Sequence, residues 1–363
     1  MKHPLAVVIP AGGGGTRLWP RSRRATPKQF LDIVSPGRSM LQETADRVCP
    51  SLVSSENLYV ITNRSHVPLV REQLVGTPAR NVVGEPIGRD SAPAIGLMAA
   101  LIEKHLGPDA IIIALPADHV ILDISAFHAA LQSAVSAAAD GYLVTLGIPP
   151  TGPDTGFGYI QRGELAMDSH PPVFDVKQFR EKPDKEVAEQ YVASGDYFWN
   201  AGMIIATVGR FRTLYKQYLP EMEPALAKLV DAAGTPREGE VFDELFPTLT
   251  KISVDYGIIE KADRVAVVPA EMGWNDVGSW DRLADVLADK ANAAGCISTG
   301  ELRVVDSSNA LVHAPGKLVA LIGLENIVVI DTPDALLIAD RNSSADVKKI
   351  VELLQAEGRK DLL

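Results

Sequence analysis

Five short apolar runs, each followed by a helical stretch or a turn, dominate the first 150 residues. They are LAVVI (5–9), NLYVIT (57–62), NVVGE (81–85), AIIIALP (110–116) and YLVTLGI (142–148). Residues 39–48, 64–75, 90–105 and 125–139 carry the helical patterns between them. Runs that stay apolar, instead of alternating with polar residues, belong to strands buried on both faces. Strands of that kind spaced by helices build a mostly parallel sheet. The expected fold is α/β and doubly wound, Rossmann-like, with ligands at the carboxyl ends of the strands.

The pattern loosens after residue 150. TGFGYIQRGE and VFDVKQFREKP read as strands joined by a turn-rich loop at His170-Pro171-Pro172, and DKEVAEQYVASG reads as a helix. YFWNAGMIIA and RVAVVPA are further strands, residues 207–232 and 240–246 are helical, and GSWDRLADVLAD is a helix with Ser279 as its N-cap. From about residue 295, RVVDS, ALVHA, LVALIG, IVVID and ALLIA follow at close spacing with Gly, Pro, Asn and Asp between them. That spacing predicts a small all-β unit, either a short β-helix or a roll, closed by an amphipathic helix in SADVKKIVELLQAEG. The expected domains are 1–290, in two halves divided at about residue 150, and 291–363.

Composition narrows the function. A net charge of −11 argues against a general nucleic-acid binder. Two cysteines, Cys49 and Cys296, make no disulfide framework and fit a reducing cytoplasm. The N-terminal stretch lacks the apolar core and cleavage pattern of a secretory signal, and no apolar run reaches a membrane-spanning length. A cytoplasmic protein without membrane or nucleic-acid partners is expected.

The strand LAVVI runs into PAGGGGTRLWPRSRRATPKQFL (10–31). Glycine brings bare backbone close to a ligand, and successive N–H groups can cradle a phosphate. A dinucleotide fingerprint beginning at Gly12 would need glycine where Arg17 stands, and a P-loop would end in Gly-Lys-Ser/Thr. This loop instead delivers a guanidinium, the group best suited to phosphate. Lys28 follows, its approach stiffened by Pro27. A flexible turn without a ligand is the plain alternative.

This stretch resembles the signature of the sugar-1-phosphate nucleotidyltransferases, and most closely that of the mannose-1-phosphate guanylyltransferases (GDP-mannose pyrophosphorylases) among them. EPIGRDSAPA, LPADH, TGFGYI, REKP, WNAGM, SVDYGIIEK and GWNDVGSW are similar to later motifs of that family, in the same order, over residues 5–285. The family often has Ser where this chain has Gly14, and Asn-Thr where it has Asp90-Ser91.

The resemblance implies transfer of GMP from GTP to mannose 1-phosphate with Mg²⁺, giving GDP-mannose and pyrophosphate, with a nucleotide half to about 150 and a sugar-phosphate half over 151–290. A homodimer is expected. The resemblance also implies nucleotide contacts from Ala11, Gly12, Gly13, Gly14, Gly15, Thr16, Arg17, Glu85, Pro86, Arg89, Asp90, Ser91 and Ala92. Asp118 and Asp276 become metal ligands, although a strand-end aspartate and a helix cap are the plain readings of each. Gly158, Glu181, Lys182 and Asn200 become sugar-phosphate contacts, against a surface ion pair and a turn cap. Arg17, Lys28, Asp118 and Asp276 carry catalysis. His119 reads as structural, and Trp199, Trp274 and Trp280 as core or wall residues. Rival readings are a Rossmann oxidoreductase, a catalytically silent nucleotide binder, and the same transfer with another nucleotide or hexose 1-phosphate. Some relatives carry a fused cupin-like isomerase region after the transferase; a chain ending at Leu363 is expected to have one activity.

Overall fold

The structure, a computed structural model, describes residues 3–363. The chain packs as two units that interleave along the sequence: residues 3–12, 44–117 and 121–274 form the first, and residues 13–43, 118–120 and 275–363 the second.

The first unit holds a sheet of nine strands: β1 (Leu5–Ala11), β2 (Leu58–Asn63), β3 (Val82–Glu85), β4 (Ile111–Ala114), β5 (Leu143–Ile148), β6 (Tyr159–Met167), β7 (Val173–Arg180), β8 (Tyr197–Thr207) and β9 (Val265–Pro269). Their order is β3-β2-β1-β4-β8-β5-β9-β7-β6. Strands β3, β2, β1 and β4 pair in parallel, as do β5 and β9. β8 runs antiparallel between β4 and β5, and β7 antiparallel between β9 and β6, so only these two oppose the rest. The expected mostly parallel α/β sheet is present, with two reversed strands in its later half.

Both faces of the early strands are covered, which is why their sequence does not alternate. Ala6 and Val8 of β1 join Ile112 and Ala114 of β4 in a core with the helix Ser91–Leu106, while Val7, Ile9, Ile111 and Ile113 are also buried. The helical run expected over 207–232 is two helices, Val208–Tyr218 and Glu223–Ala232, separated by a 3-10 turn at Pro220–Met222. Pro220 lacks the N–H that a continuous helix would need.

In the second unit, Ser279 caps the helix Trp280–Val286 by accepting from the Arg282 N–H at 3.4 Å. The β region is a short β-helix rather than a roll. Ile297–Ser298, Leu311–His313 and Ile327–Asp331 stack in parallel, and Glu301–Val305 pairs in parallel with Leu318–Ile322. Leu336–Asp340 ends the stack antiparallel. Val312, Leu321 and Val329 fill its interior with the buried thiol of Cys296; Cys49 is also free. The amphipathic helix at the end spans Val347–Ala356 and is labelled α1 here. No described helix is long and apolar enough to cross a membrane.

Candidate active site

The glycine loop, Arg17, Lys28, Asp118 and Asp276 meet in the second unit. Gly13 and Gly15 have φ of 91° and 54°, a region that favours glycine. A Cβ on Gly15 would lie 2.8 Å from Ser22 Oγ and 2.9 Å from Lys28 Cγ, so bare backbone is required there twice over. Gly14 has no such constraint, consistent with a position where Ser is tolerated. The Ser22 hydroxyl donates to Gly14 O at 3.2 Å and the Gln29 amide to Gly13 O at 3.4 Å, which ties the loop's carbonyls to the protein. Among the described residues, the N–H groups of Gly13, Gly14, Gly15 and Thr16 have no protein acceptor. Consecutive amides of this kind form an anion-binding concavity. A 3-10 turn over Thr16–Leu18 presents Arg17, and buried Leu18 and Trp19 anchor that turn.

Lys28 is buried in a second 3-10 turn, Lys28–Phe30, capped by Pro27. Its ammonium lies 2.9 Å from Asp118 Oδ2 and donates to Asp276 O at 2.9 Å. Lys28 therefore clamps together the two segments that carry the acids, and its expected phosphate role starts from that position. Val120 and Asn275 reinforce the clamp with paired backbone hydrogen bonds of 2.8 and 3.0 Å. Val277 has φ 44°, an unfavourable angle for a β-branched residue, worth roughly 1–3 kcal/mol of strain. The Asn275 side chain holds it by accepting from Val277 N at 2.8 Å, and the tight turn sets the direction of Asp276. Burial pushes the Asp118 carboxyl up, but the charges of Lys28 and then His119 outweigh it and hold the group below the usual carboxylate range. Asp118 is thus an anion throughout the neutral range.

Among the described residues no cluster of three or more His, Cys, Asp or Glu side chains could hold a metal ion by itself. Asp118 and Asp276 supply hard carboxylate oxygens. Mg²⁺ is typically held by one or two carboxylates together with phosphate oxygens and water, so this donor set fits a cation shared with a phosphate ligand.

The remaining expected residues lie in the first unit, in two groups. Glu85 ends β3, buried, and its Oε1 has no hydrogen-bond partner. Burial pushes its carboxyl up to about 8. Arg89 donates to Pro247 O. Asp90 caps the helix Ser91–Leu106, accepting from the Ser91 N–H at 2.8 Å. Ser91 Oγ accepts from Val254 N, Ala92 N donates to Ile252 O, and the Tyr215 hydroxyl donates to Ala92 O. The polar groups of Ser91 and Ala92 thus fasten this helix to residues 252–254, while Glu85 keeps an unused acceptor.

Gly158, Glu181, Lys182 and Asn200 form the second group. A Cβ on Gly158 would collide with Glu181 Oε2, a buried oxygen with no hydrogen-bond partner. Lys182, at φ 47°, turns its ammonium to 2.6 Å from Glu181 Oε1. Asn200 Oδ1 accepts from Thr145 Oγ1 at 2.8 Å and Gly202 N at 3.1 Å, and its amide donates to Asp255 Oδ1 at 2.9 Å. Asn200 is thereby a mount for Asp255 more than a free sugar contact. Asp255 opens a π-helical turn, Asp255–Ile259, a rare geometry often found at functional sites. Burial, and next the nearby Glu181 charge, push its carboxyl up to about 6. Phe157 packs between Trp199 and Trp274 at centroid distances of 5.0 and 5.3 Å, so both indoles are walls here; buried Trp280 donates to Trp19 O in the second unit. Sequence reasoning gave Asp255 no role. Its available signal was an acid inside SVDYGIIEK, a motif noticed only as part of a family pattern.

The family model described as nucleotidyl transferase matches residues 6–293. The chain belongs to the nucleotidyl transferase family. Residues 300–354 match a MannoseP isomerase/GMP-like beta-helix domain, in agreement with the stacked strands of the second unit. The chain is 42% identical to the mannose-1-phosphate guanylyltransferase of Escherichia coli K12, over 98% of this chain and 74% of that protein. It is 39% identical to the alginate biosynthesis protein AlgA of Pseudomonas aeruginosa, over 98% of this chain and 73% of that protein. A crystal structure of mannose-1-phosphate geranyltransferase from Thermus thermophilus superposes with a TM-score of 0.85 at 32% identity, covering 97% of this chain and 99% of that one.

Proposed function

We propose that this chain is a mannose-1-phosphate guanylyltransferase, joining GTP and mannose 1-phosphate into GDP-mannose and pyrophosphate. The observation that carries the reading is the four unpartnered amides of residues 13–16 beside Arg17 and the Lys28–Asp118–Asp276 clamp. An oxygen of mannose 1-phosphate attacks the α-phosphorus of GTP. The bond from that phosphorus to the bridging oxygen breaks, and pyrophosphate leaves with the electron pair. The attacking phosphate is already an anion, so no general base is required, and none of the proposed catalytic residues needs to act as one.

Catalysis is then positioning and charge neutralisation. The glycine-loop amides and Arg17 hold the β- and γ-phosphates, and Lys28 keeps Asp118 and Asp276 aligned. Mg²⁺ on Asp118 and Asp276 would supply Lewis-acid charge to the phosphates. Glu181 and Asp255 accept sugar hydroxyls, with Lys182 meeting the sugar phosphate. Glu85 reads the base: guanine offers N–H donors at N1 and N2 that one carboxylate can accept, while adenine has an acceptor at N1.

Two tests follow. Run in reverse, the protein with GDP-mannose, Mg²⁺ and pyrophosphate should form GTP and mannose 1-phosphate; GDP and mannose without GTP, or no reaction from folded protein, would remove the reading. Glu85 gives the second. With its carboxyl pushed up to about 8, Glu85 is largely protonated at pH 7 and must ionise to accept guanine's donors. GTP binding should therefore release a proton, read as a dependence of the calorimetric enthalpy on buffer ionisation heat, and Glu85→Gln should abolish it. The same raised value means that the native state keeps a proton which the unfolded chain loses from about pH 4.5 upward, so this group lowers stability as pH rises towards about 8.

A further inference from the structure

A cavity of about 290 Å³ in the second unit is lined by Gly15, Thr16, Arg17, Lys28 and Asp276, and also by Lys348 from the first turn of α1. Three cations face one space with a single lining carboxylate. Lys28 is engaged by Asp118 and the Asp276 carbonyl. Arg17 and Lys348 have no side-chain hydrogen bond or ion pair among the described residues. The neighbouring Lys349 behaves differently and pairs with Asp346 at 3.0 Å. Like charges gathered around one cavity repel, and an anion between them relieves the repulsion.

The position of Lys348 is built rather than accidental. Val347, Val351 and Leu354 lie on one face of α1 and pack in the same apolar cluster as Leu18 and Trp19, which anchor the Arg17 turn. Trp19 Nε1 also donates to Leu362 O at 2.8 Å, fixing the chain beyond the helix. A further cavity of about 60 Å³ is lined by Gly14 and Thr16 on one side and Val351 and Gln355 on the other, so α1 lies along the glycine loop.

We propose that α1 is part of the triphosphate site and that Lys348 is a binding residue that grips the β- and γ-phosphates of the nucleotide, and the pyrophosphate they become. The inference rests on the proposed reaction and adds to it the group that holds the leaving half. A triphosphate carries about four negative charges at neutral pH, more than a divalent ion and Arg17 neutralise; Lys348 supplies the remaining contact.

The test is calorimetric binding of inorganic pyrophosphate with Mg²⁺ to the full chain and to Lys348→Ala, Lys348→Glu, Lys348→Arg and Lys349→Ala. Lys348→Ala should weaken binding about tenfold and Lys348→Glu more, with Lys348→Arg restoring most of it and Lys349→Ala matching the parent protein. In steady state, Lys348→Ala should raise KM for GTP and leave KM for mannose 1-phosphate unchanged, a split that general destabilisation would not produce. Pyrophosphate binding unaffected by Lys348→Ala, an equal loss in Lys349→Ala, or no binding to the parent protein would each overturn the inference. Lys348-dependent binding in a protein that makes no GDP-mannose would remove the proposed reaction and leave this inference standing.

Discussion

Arg17→Ala should lower kcat by about a hundred- to a thousandfold in a protein that stays folded, the usual loss when one group that neutralises transition-state charge is removed. Arg17 is exposed and has no hydrogen bond or ion pair from its side chain among the described residues, so truncation breaks nothing that holds the fold. Its turn is anchored by Leu18 and Trp19, which the substitution leaves in place. Thermal unfolding should move little, since exposed substitutions of this kind usually stay within about 0.5 kcal/mol. Charge builds on the leaving pyrophosphate as the bond breaks, so the loss should fall on kcat more than on KM for mannose 1-phosphate. Near-normal turnover in this variant would take Arg17 out of the mechanism.

Asp118→Asn should damage both activity and stability, while Asp276→Asn should damage activity alone. Asp118 pairs through its side chain with Lys28, whose own side chain is only 10% exposed. Asp276 meets the same ammonium through its backbone carbonyl, which substitution preserves. Replacing the Asp118 carboxylate leaves a nearly buried cation with weaker partners, at a cost of about 1–3 kcal/mol. Because Asp118 is held below its ordinary value, the stability it contributes is present above the unfolded carboxylate range and fades as pH falls through the folded value. The Asp118→Asn protein should therefore show a shallower drop in stability at acid pH than the parent, because Asp118's share is gone while carboxylates such as Asp32, also held below the ordinary value, keep theirs. In both variants the Mg²⁺ concentration for half-maximal rate should rise at least about tenfold. An unchanged metal titration in both would contradict a cation held between them.

Much of the fold was legible because its signals are local. Apolar runs such as LAVVI announce strands covered on both faces, and the glycines after them announce a turn whose positive φ disfavours a side chain at Gly13 and whose neighbours also block one at Gly15. The reversed strands were not legible. β8 reads as one more apolar run, and its direction depends on β4 and β5, which pair with it from far along the chain. Choosing a β-helix over a roll needed the parallel register of strands such as Leu311–His313 and Ile327–Asp331, which periodicity does not contain.

The site divides in the same way. Arg17 and Lys28 stand out because a glycine loop and a proline put them there. The attachment of Lys28 to Asp118 and Asp276 is a through-space fact linking three distant segments. Asp255 depends on a π-helical turn and on Asn200, whose amide a sequence reading assigns to a ligand instead of a neighbouring acid. Lys348 looks like any lysine on the polar face of an amphipathic helix until the packing of Val347 and Val351 shows where that helix lies.

The most direct measurement is initial-rate pyrophosphate release with Mg²⁺, crossing GTP, ATP, UTP and CTP against mannose 1-phosphate and glucose 1-phosphate. Fast release with GTP and mannose 1-phosphate alone is the predicted result. Equal or faster release with another nucleotide or with glucose 1-phosphate would contradict the proposed specificity, and no release with any pair from folded protein would contradict the catalytic reading itself.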